Sequence, residues 1–312
     1  MKKVIVLLGP TGAGKTGASI LLAKALDTEI ISSDSMQIYR YMDIGTAKPS
    51  LEERQIVQHH MIDIADPWEL FSTGEYIKHV KPVIENIHNM NKTPIIVGGT
   101  GLYLKAMTRG IFEGPSADWG LREDLKAKET ENPGYLFDYL RNVDPVSAEK
   151  IMPNDHRRLI RALEVYLKSC QPISEFHHKF TVPFSFEFLK IGLTRNRAEL
   201  YRLIDERVDG MMKMGLLDEV KRLTLMISEY CKGDISRLPA LQAIGYKELV
   251  SHLNDEASLD ESVMLIKKRT RNYAKRQFTW FKKEEGIRWV DITGIHDSQG
   301  ILDKLIMQEK PF

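Results

Sequence analysis

Apolar positions along the chain follow two periods. Val4–Leu8 and Pro94–Val97 are short apolar runs without alternating polar residues, the pattern of strands covered on both faces in a parallel sheet. Between them, apolar residues recur at helical spacing, at Leu21, Leu22 and Leu26, and at Ile77, Val80, Ile84 and Ile87 within Glu75–Met90. Glu29–Ser32 reads as a further short strand, Met61–Ile64 as an edge strand, and Phe186–Leu193 returns to strand composition before a long helix beginning near Ala198. Strands alternating with helices in this way predict an α/β fold, a doubly wound parallel sheet. From Glu113 to Pro183 the pattern changes. Proline and glycine punctuate short helices and no continuous apolar strand appears, which predicts a helical insertion domain (113–183) in a core formed by 1–112 and 184–312. Within it, Asn154 or Asp155 can cap a helix whose stripe is Leu159, Leu163 and Tyr166, while Arg157 and Arg161, one turn apart, point the same way.

Composition narrows this only modestly. The 312 residues are 43% hydrophobic and 28% charged, ordinary for a globular protein, and a net charge of +1 averages over local patches. Cys170 and Cys231 form no metal or disulfide array, and a reducing cytoplasm is expected. The apolar run after Lys2-Lys3 is cut short by Gly9-Pro10, so it is not a signal sequence, and no stretch reaches the ~20 apolar residues that span a bilayer. The adjacent His59 and His60 point to opposite sides of an extended chain, which disfavours a metal pair.

Candidate chemistry changes the picture. Gly9, Pro10, Thr11, Gly12, Ala13, Gly14, Lys15 and Thr16 spell the G-x-x-x-x-G-K-[ST] phosphate loop between an apolar strand and a helix. Its backbone N–H groups and the helix N-terminus suit phosphate oxygens, Lys15 reaches the terminal phosphate, and Thr16 can ligate Mg²⁺. A P-loop NTPase-like core follows, but Ile95–Val97 runs into Gly98-Gly99 rather than the Asp expected of an NTPase. The well-placed carboxylate is Asp34, beyond a strand end, accompanied by Ser35 and Gln37, the latter suited to an adenine edge. Thr100 follows the second glycine-rich turn, and Arg195 and Arg197 stand at another strand terminus, with Arg207 and Lys213 further along the same helical region. Ser262–Lys283 holds eight cations (Lys267, Lys268, Arg269, Arg271, Lys275, Arg276, Lys282, Lys283) around an apolar stripe of Val263, Ile266, Tyr273 and Trp280, a composition that fits a nucleic-acid backbone.

Taken in order, Gly9–Thr16, Ser33–Gln37, Asp43–Pro49, Gly98–Tyr103, Arg157–Glu164, Gln242–Lys247 and Arg276–Trp280 give the whole chain a resemblance to the bacterial tRNA dimethylallyltransferases. The resemblance implies transfer of a dimethylallyl group from dimethylallyl diphosphate to N6 of the adenosine at position 37 of tRNA, beside the anticodon. The diphosphate would lie in the phosphate loop with Mg²⁺, and Asp34 would be the general base. It further implies catalytic roles for Lys15, Thr100 and an arginine such as Arg195, and base-framing roles for Asp34, Ser35, Met36 and Gln37. Contacts to tRNA are implied for Thr100, Arg122, Arg157, Arg158, Leu159, Ile160, Arg161, Gln242, Ala243, Ile244, Gly245, Tyr246 and Lys247. A cytoplasmic monomer without membrane contact is expected. The alternatives are a relative acting on free AMP, a P-loop kinase or ATPase, and a non-catalytic RNA-binding protein.

Overall fold

A computed structural model describes residues 1–112, 114–179, 181–231, 235 and 238–308. The elements in order are β1 (Lys3–Leu8), α1 (Lys15–Ala25), β2 (Ile30–Ser33), α2 (Leu51–Ile56), β3 (His59–His60), α3 (Thr73–Asn89), β4 (Ile95–Gly98) and α4 (Gly101–Arg109). Then follow α5 (Trp119–Glu131), α6 (Tyr135–Val143), α7 (Pro145–Ala148), α8 (His156–Ser169) and α9 (Ile173–Lys179). The chain continues with β5 (Glu187–Thr194), α10 (Arg197–Lys213), α11 (Leu216–Tyr230), α12 (Tyr246–Leu253), α13 (Leu259–Phe281), β6 (Ile287–Asp291) and α14 (Ser298–Gln308).

The strands form one six-stranded sheet in the order β3-β2-β4-β1-β5-β6, every pair parallel. Parallel pairing sends every strand's carboxyl end to the same edge, so the residues after β1, β2, β4 and β5 converge there. Register tightens this: Leu8 lies beside Gly98 and beside Gly192, and Ser33 beside Gly98. The continuous apolar runs are the central strands because both of their faces are covered; Val4, Leu7, Ile31, Ile95 and Ile96 are fully buried. The predicted edge strand at Met61–Ile64 falls instead on His59–His60. Met61 and Asp63 take left-handed φ angles of 62° and 57°, which end the extended chain. β6 closes the other edge; its Ile-Arg-Trp-Val-Asp alternates and carries no apolar run.

The chain divides into two compact units, Met1–Leu104 with Ser185–Phe312, and Lys105–Phe184. The first contains the sheet and, among its apolar clusters, two large ones. One packs α1 and α14 on the sheet through Leu22, Ile191, Leu193, Ile301 and Leu305; the other joins Ile38, Tyr39 and Met42 to α11, α12 and α13 through Val220, Leu249 and Ile266. The second unit is helical around Leu125, Leu136, Leu140, Leu159 and Leu163. Glu113, where the sequence pattern begins the insertion, lies outside the described residues. Among the described residues no helix is long and apolar enough to cross a membrane.

Candidate active site

The phosphate loop occupies the bend between β1 and α1. Gly9 passes so close to β5 that a Cβ there would lie 2.7 Å from the Leu193 carbonyl oxygen, and Gly14, at φ 81°, is the left-handed residue that starts α1. Lys15 Nζ donates to the carbonyl oxygens of Gly9 and Pro10, each at 2.9 Å, so the lysine is folded over its own loop. Its ammonium end is enclosed. Burial, followed by the neighbouring Arg207 cation, pulls its pKa down to about 8, against a smaller upward pull from Asp34.

Asp34 follows β2. Its Oδ1 accepts from the Met36 N–H at 2.9 Å and the Gln37 N–H at 3.4 Å, a local turn that fixes the carboxylate. The neighbouring turn after β4 is laced to it: the Ser35 N–H donates to Thr100 Oγ1 at 3.1 Å, and the Thr100 N–H to the Ser33 carbonyl at 3.1 Å. Thr100 thus supports the backbone beside Asp34 and is not among the residues that line the cavity. Lys15, Thr16, Asp34, Arg207, Tyr273 and Gln277 do line that one cavity, together with the apolar residues Ile30, Ala47, Pro49, Ile62 and Val97. Its volume of about 90 Å³ is several times the ~10–15 Å³ that holds one water, so it can receive a small organic group.

Arg207, named in sequence only as a later cation of the same helical region, is the arginine that enters the cavity. It projects from α10 into the cavity, its Nη1 3.4 Å from Thr11 Oγ1, and burial lowers its pKa while Asp34 pulls it back up. Arg195, the arginine expected at the cradle, lies beside the loop, its Nη2 3.9 Å from where a Cβ on Gly14 would stand, but it is already engaged: it pairs with Glu199, and its Nη2 donates to the Ile295 carbonyl at 2.7 Å. A strand terminus put Arg195 at the right edge of the sheet, but its guanidinium is captured by the first turn of α10 and the loop before α14. The signal for Arg207 was its helical spacing, three residues after buried Ile204 and four before buried Met211.

Gln37 lines the cavity with Asp34 and also holds a loop. Ser32 Oγ donates to its Oε1, and its Nε2 donates to the Thr46 and Ala47 carbonyls, so the amide ties down the 43–49 loop. A buried glutamate completes that support. Glu219 accepts from the N–H groups of Asp43, Ile44 and Gly45 and from the Tyr246 hydroxyl. Tyr246 is therefore fully buried, Ala243 and Gly245 are buried with it, and only the ends of that segment, Gln242 and Lys247, are exposed. Burial, not surface contact, explains the apolar half of Gln242–Lys247.

The helical unit shows the same division. Arg157 and Arg158 are exposed on α8, whereas Leu159 and Ile160 belong to the unit's core. Arg161 does not join Arg157 as a fork: both it and Arg122 grip Glu164, which is fully buried. Burial pushes the Glu164 carboxyl up, yet hydrogen bonds from Arg122, the Asp118 N–H and Arg161 outweigh it and hold the pKa below the ordinary value.

On α13, among the described residues, Lys267 is paired with Asp209, Arg269 with Glu248 and Arg271 with Asp205. Lys268, Lys275, Arg276, Lys282 and Lys283 are exposed. The buried stripe runs through Ser262, Ile266, Ala274, Gln277 and Phe281 rather than through Val263 and Trp280.

Among the described residues no group of three or more His, Cys, Asp or Glu could hold a metal ion. His59 and His60 contact the Val57 carbonyl and Glu29 instead.

The family model described as IPP transferase matches residues 37–284. A tRNA dimethylallyltransferase from Thermodesulfovibrio yellowstonii is 59% identical over 304 residues, covering 97% of this chain and 96% of the relative. One from Syntrophobacter fumaroxidans is 45% identical over 308 residues, covering 98% and 87%. Among solved structures, the full-length tRNA isopentenylpyrophosphate transferase of Bacillus halodurans is similar with a TM-score of 0.71 and 38% identity, covering 99% of this chain and 96% of that one. A eukaryotic dimethylallyltransferase acting on tRNA gives a TM-score of 0.83 at 32% identity, covering 100% and 81%.

Proposed function

The chain belongs to the IPP transferase family, and from that premise we propose how it acts as a tRNA dimethylallyltransferase, moving a dimethylallyl group from dimethylallyl diphosphate to N6 of adenosine 37. The observation that carries the reading is one cavity lined both by the phosphate-loop residues Lys15 and Thr16 and by Asp34, together with apolar residues.

In this reading the diphosphate lies on the N–H groups of Gly12–Thr16, and Lys15 and Arg207 face its oxygens. Ile30, Ala47, Pro49, Ile62 and Val97 cover the prenyl chain. The Thr16 hydroxyl suits Mg²⁺, which keeps several waters and takes one or two protein oxygens plus substrate phosphates. When bound, the ion would offset charge developing on the departing diphosphate. An aromatic amine is a weak nucleophile, so the C–O bond to the allylic carbon must open as the C–N bond forms. Each well-placed donor on the leaving group contributes roughly 3–4 kcal/mol. Asp34 takes the proton released from N6, leaving a neutral secondary amine. A base stacked in an anticodon loop cannot reach the cavity; extruding it costs a few kcal/mol, offset by backbone contacts to exposed cations such as Arg157, Arg158, Lys247, Lys275 and Arg276.

The test is label transfer from dimethylallyl diphosphate to unmodified tRNA, with AMP as competitor. Wild type transfers label to tRNA and AMP does not displace it; Asp34→Asn transfers none while binding tRNA as before. No transfer by wild type, or preference for AMP, overturns the reading.

A further inference from the structure

Gln277 is a polar member of the buried stripe of α13, 6% exposed, and its amide is matched at both ends. Its Oε1 accepts from the Thr11 N–H at 2.9 Å, and its Nε2 donates to the Gly99 carbonyl at 2.9 Å. The two partners belong to the phosphate loop and to the turn after β4, which approach it from positions 266 and 178 residues away. Gly99 lies so close that a Cβ there would be 2.1 Å from Nε2. Resting on the function proposed above, we propose that Gln277 is a positioning residue that sets the distance between the leaving diphosphate and the base.

One side of the amide holds the cradle, since Thr11 precedes the loop glycines that face the diphosphate. The other holds the turn whose next residue, Thr100, accepts from the Ser35 N–H beside Asp34. A single planar amide therefore spans from the donor site to the backbone that carries the base. Only a side chain with one acceptor and one donor, of this length, satisfies both partners; an apolar replacement leaves a buried N–H and a buried carbonyl unpaired. Misplacing reacting groups by about 1 Å costs on the order of 10²-fold in rate, so the clamp acts on turnover more than on binding.

The experiment compares Gln277→Met and Gln277→Glu with wild type in the full chain. In Gln277→Met, kcat falls at least tenfold, while pyrophosphate binding by calorimetry and tRNA binding by filter retention stay within threefold. Gln277→Glu mimics the amide only when protonated, because then its carboxyl both accepts and donates. Its kcat relative to wild type rises as pH falls from 8 to 6. Gln277→Met shows no such rise. If the kcat of both variants stays within twofold of wild type, or ligand binding is lost together with turnover, the clamp is refuted. Should Gln277→Met not fold, the pH profile of Gln277→Glu decides alone, and a flat ratio refutes it. A wild type that transfers no label overturns the functional reading and this one with it, whereas an active wild type beside unimpaired variants overturns only the clamp.

Discussion

Two arginines illustrate how little a residue type says without its surroundings. Arg195 is buried, but Glu199 and the Ile295 carbonyl neutralise and bond it; Arg207 shares a cavity with Lys15 and Asp34 and makes a long 3.4 Å contact to Thr11. We therefore expect Arg207→Ala to reduce kcat by roughly 10²–10³-fold in label transfer, the usual effect of removing one leaving-group donor. Arg195→Ala should act chiefly on stability, read as a lower denaturation midpoint with turnover of the folded fraction retained. Lys15 makes a second residue-scale prediction. Its pKa is about 8 in the fold and near 10.5 in the unfolded chain, so the folded state bears the full cost of its charge below pH 8. Between pH 8 and 10.5 the unfolded chain holds a proton that the folded one has released, and stability rises with pH. Urea titrations should show wild type gaining on Lys15→Met across that window; parallel curves would contradict the depressed value.

At the scale of elements, α13 does two jobs on two faces. Its inner face carries Gln277 to the loops, and its outer face carries Lys275, Arg276 and Lys283, whereas Lys267, Arg269 and Arg271 answer acids on α10 and α12. Replacing Lys275 and Arg276 together by Ala should weaken tRNA binding and flatten its salt dependence by about two contacts' worth of slope. Replacing Lys267 should leave that slope unchanged; filter binding between 50 and 200 mM salt distinguishes them. The inner face was legible in part, because Gln277 lies one turn after Tyr273 and one before Phe281, at core spacing. It was passed over because a polar residue in a basic helix reads as solvent-facing until a partner for its amide is seen.

For the whole molecule, the division into two units with separate apolar cores implies that unfolding is not one two-state step. Glu164 belongs entirely to the helical unit, where it answers two arginines that keep partial access to water. Glu164→Ala should destabilise that unit by about 3 kcal/mol, the lower end for a broken buried pair. Hydrogen exchange should report the loss in 105–184 and not in the sheet. Because the folded pKa of Glu164 is depressed, its contribution is present above the ordinary glutamate value and lost as pH falls through the folded one.

Local order along the chain determined a good deal. The apolar runs, the helical periods and the glycine-rich loop are short-range signals, and they specified a parallel α/β core, the change to a helical segment, the phosphate cradle and Asp34 beyond a strand end. They could do so because strand, turn and helix each depend on neighbours within a few residues. Tertiary structure alone decided which cations reach the cavity, that Tyr246 is sealed against Glu219, that the Gln37 amide ties down a loop at the cavity's edge, and that Ile62 and Val97 line the same cavity. Those outcomes rest on contacts between residues far apart in sequence, where burial and hydrogen-bond partners, which no local pattern encodes, select one role for each side chain.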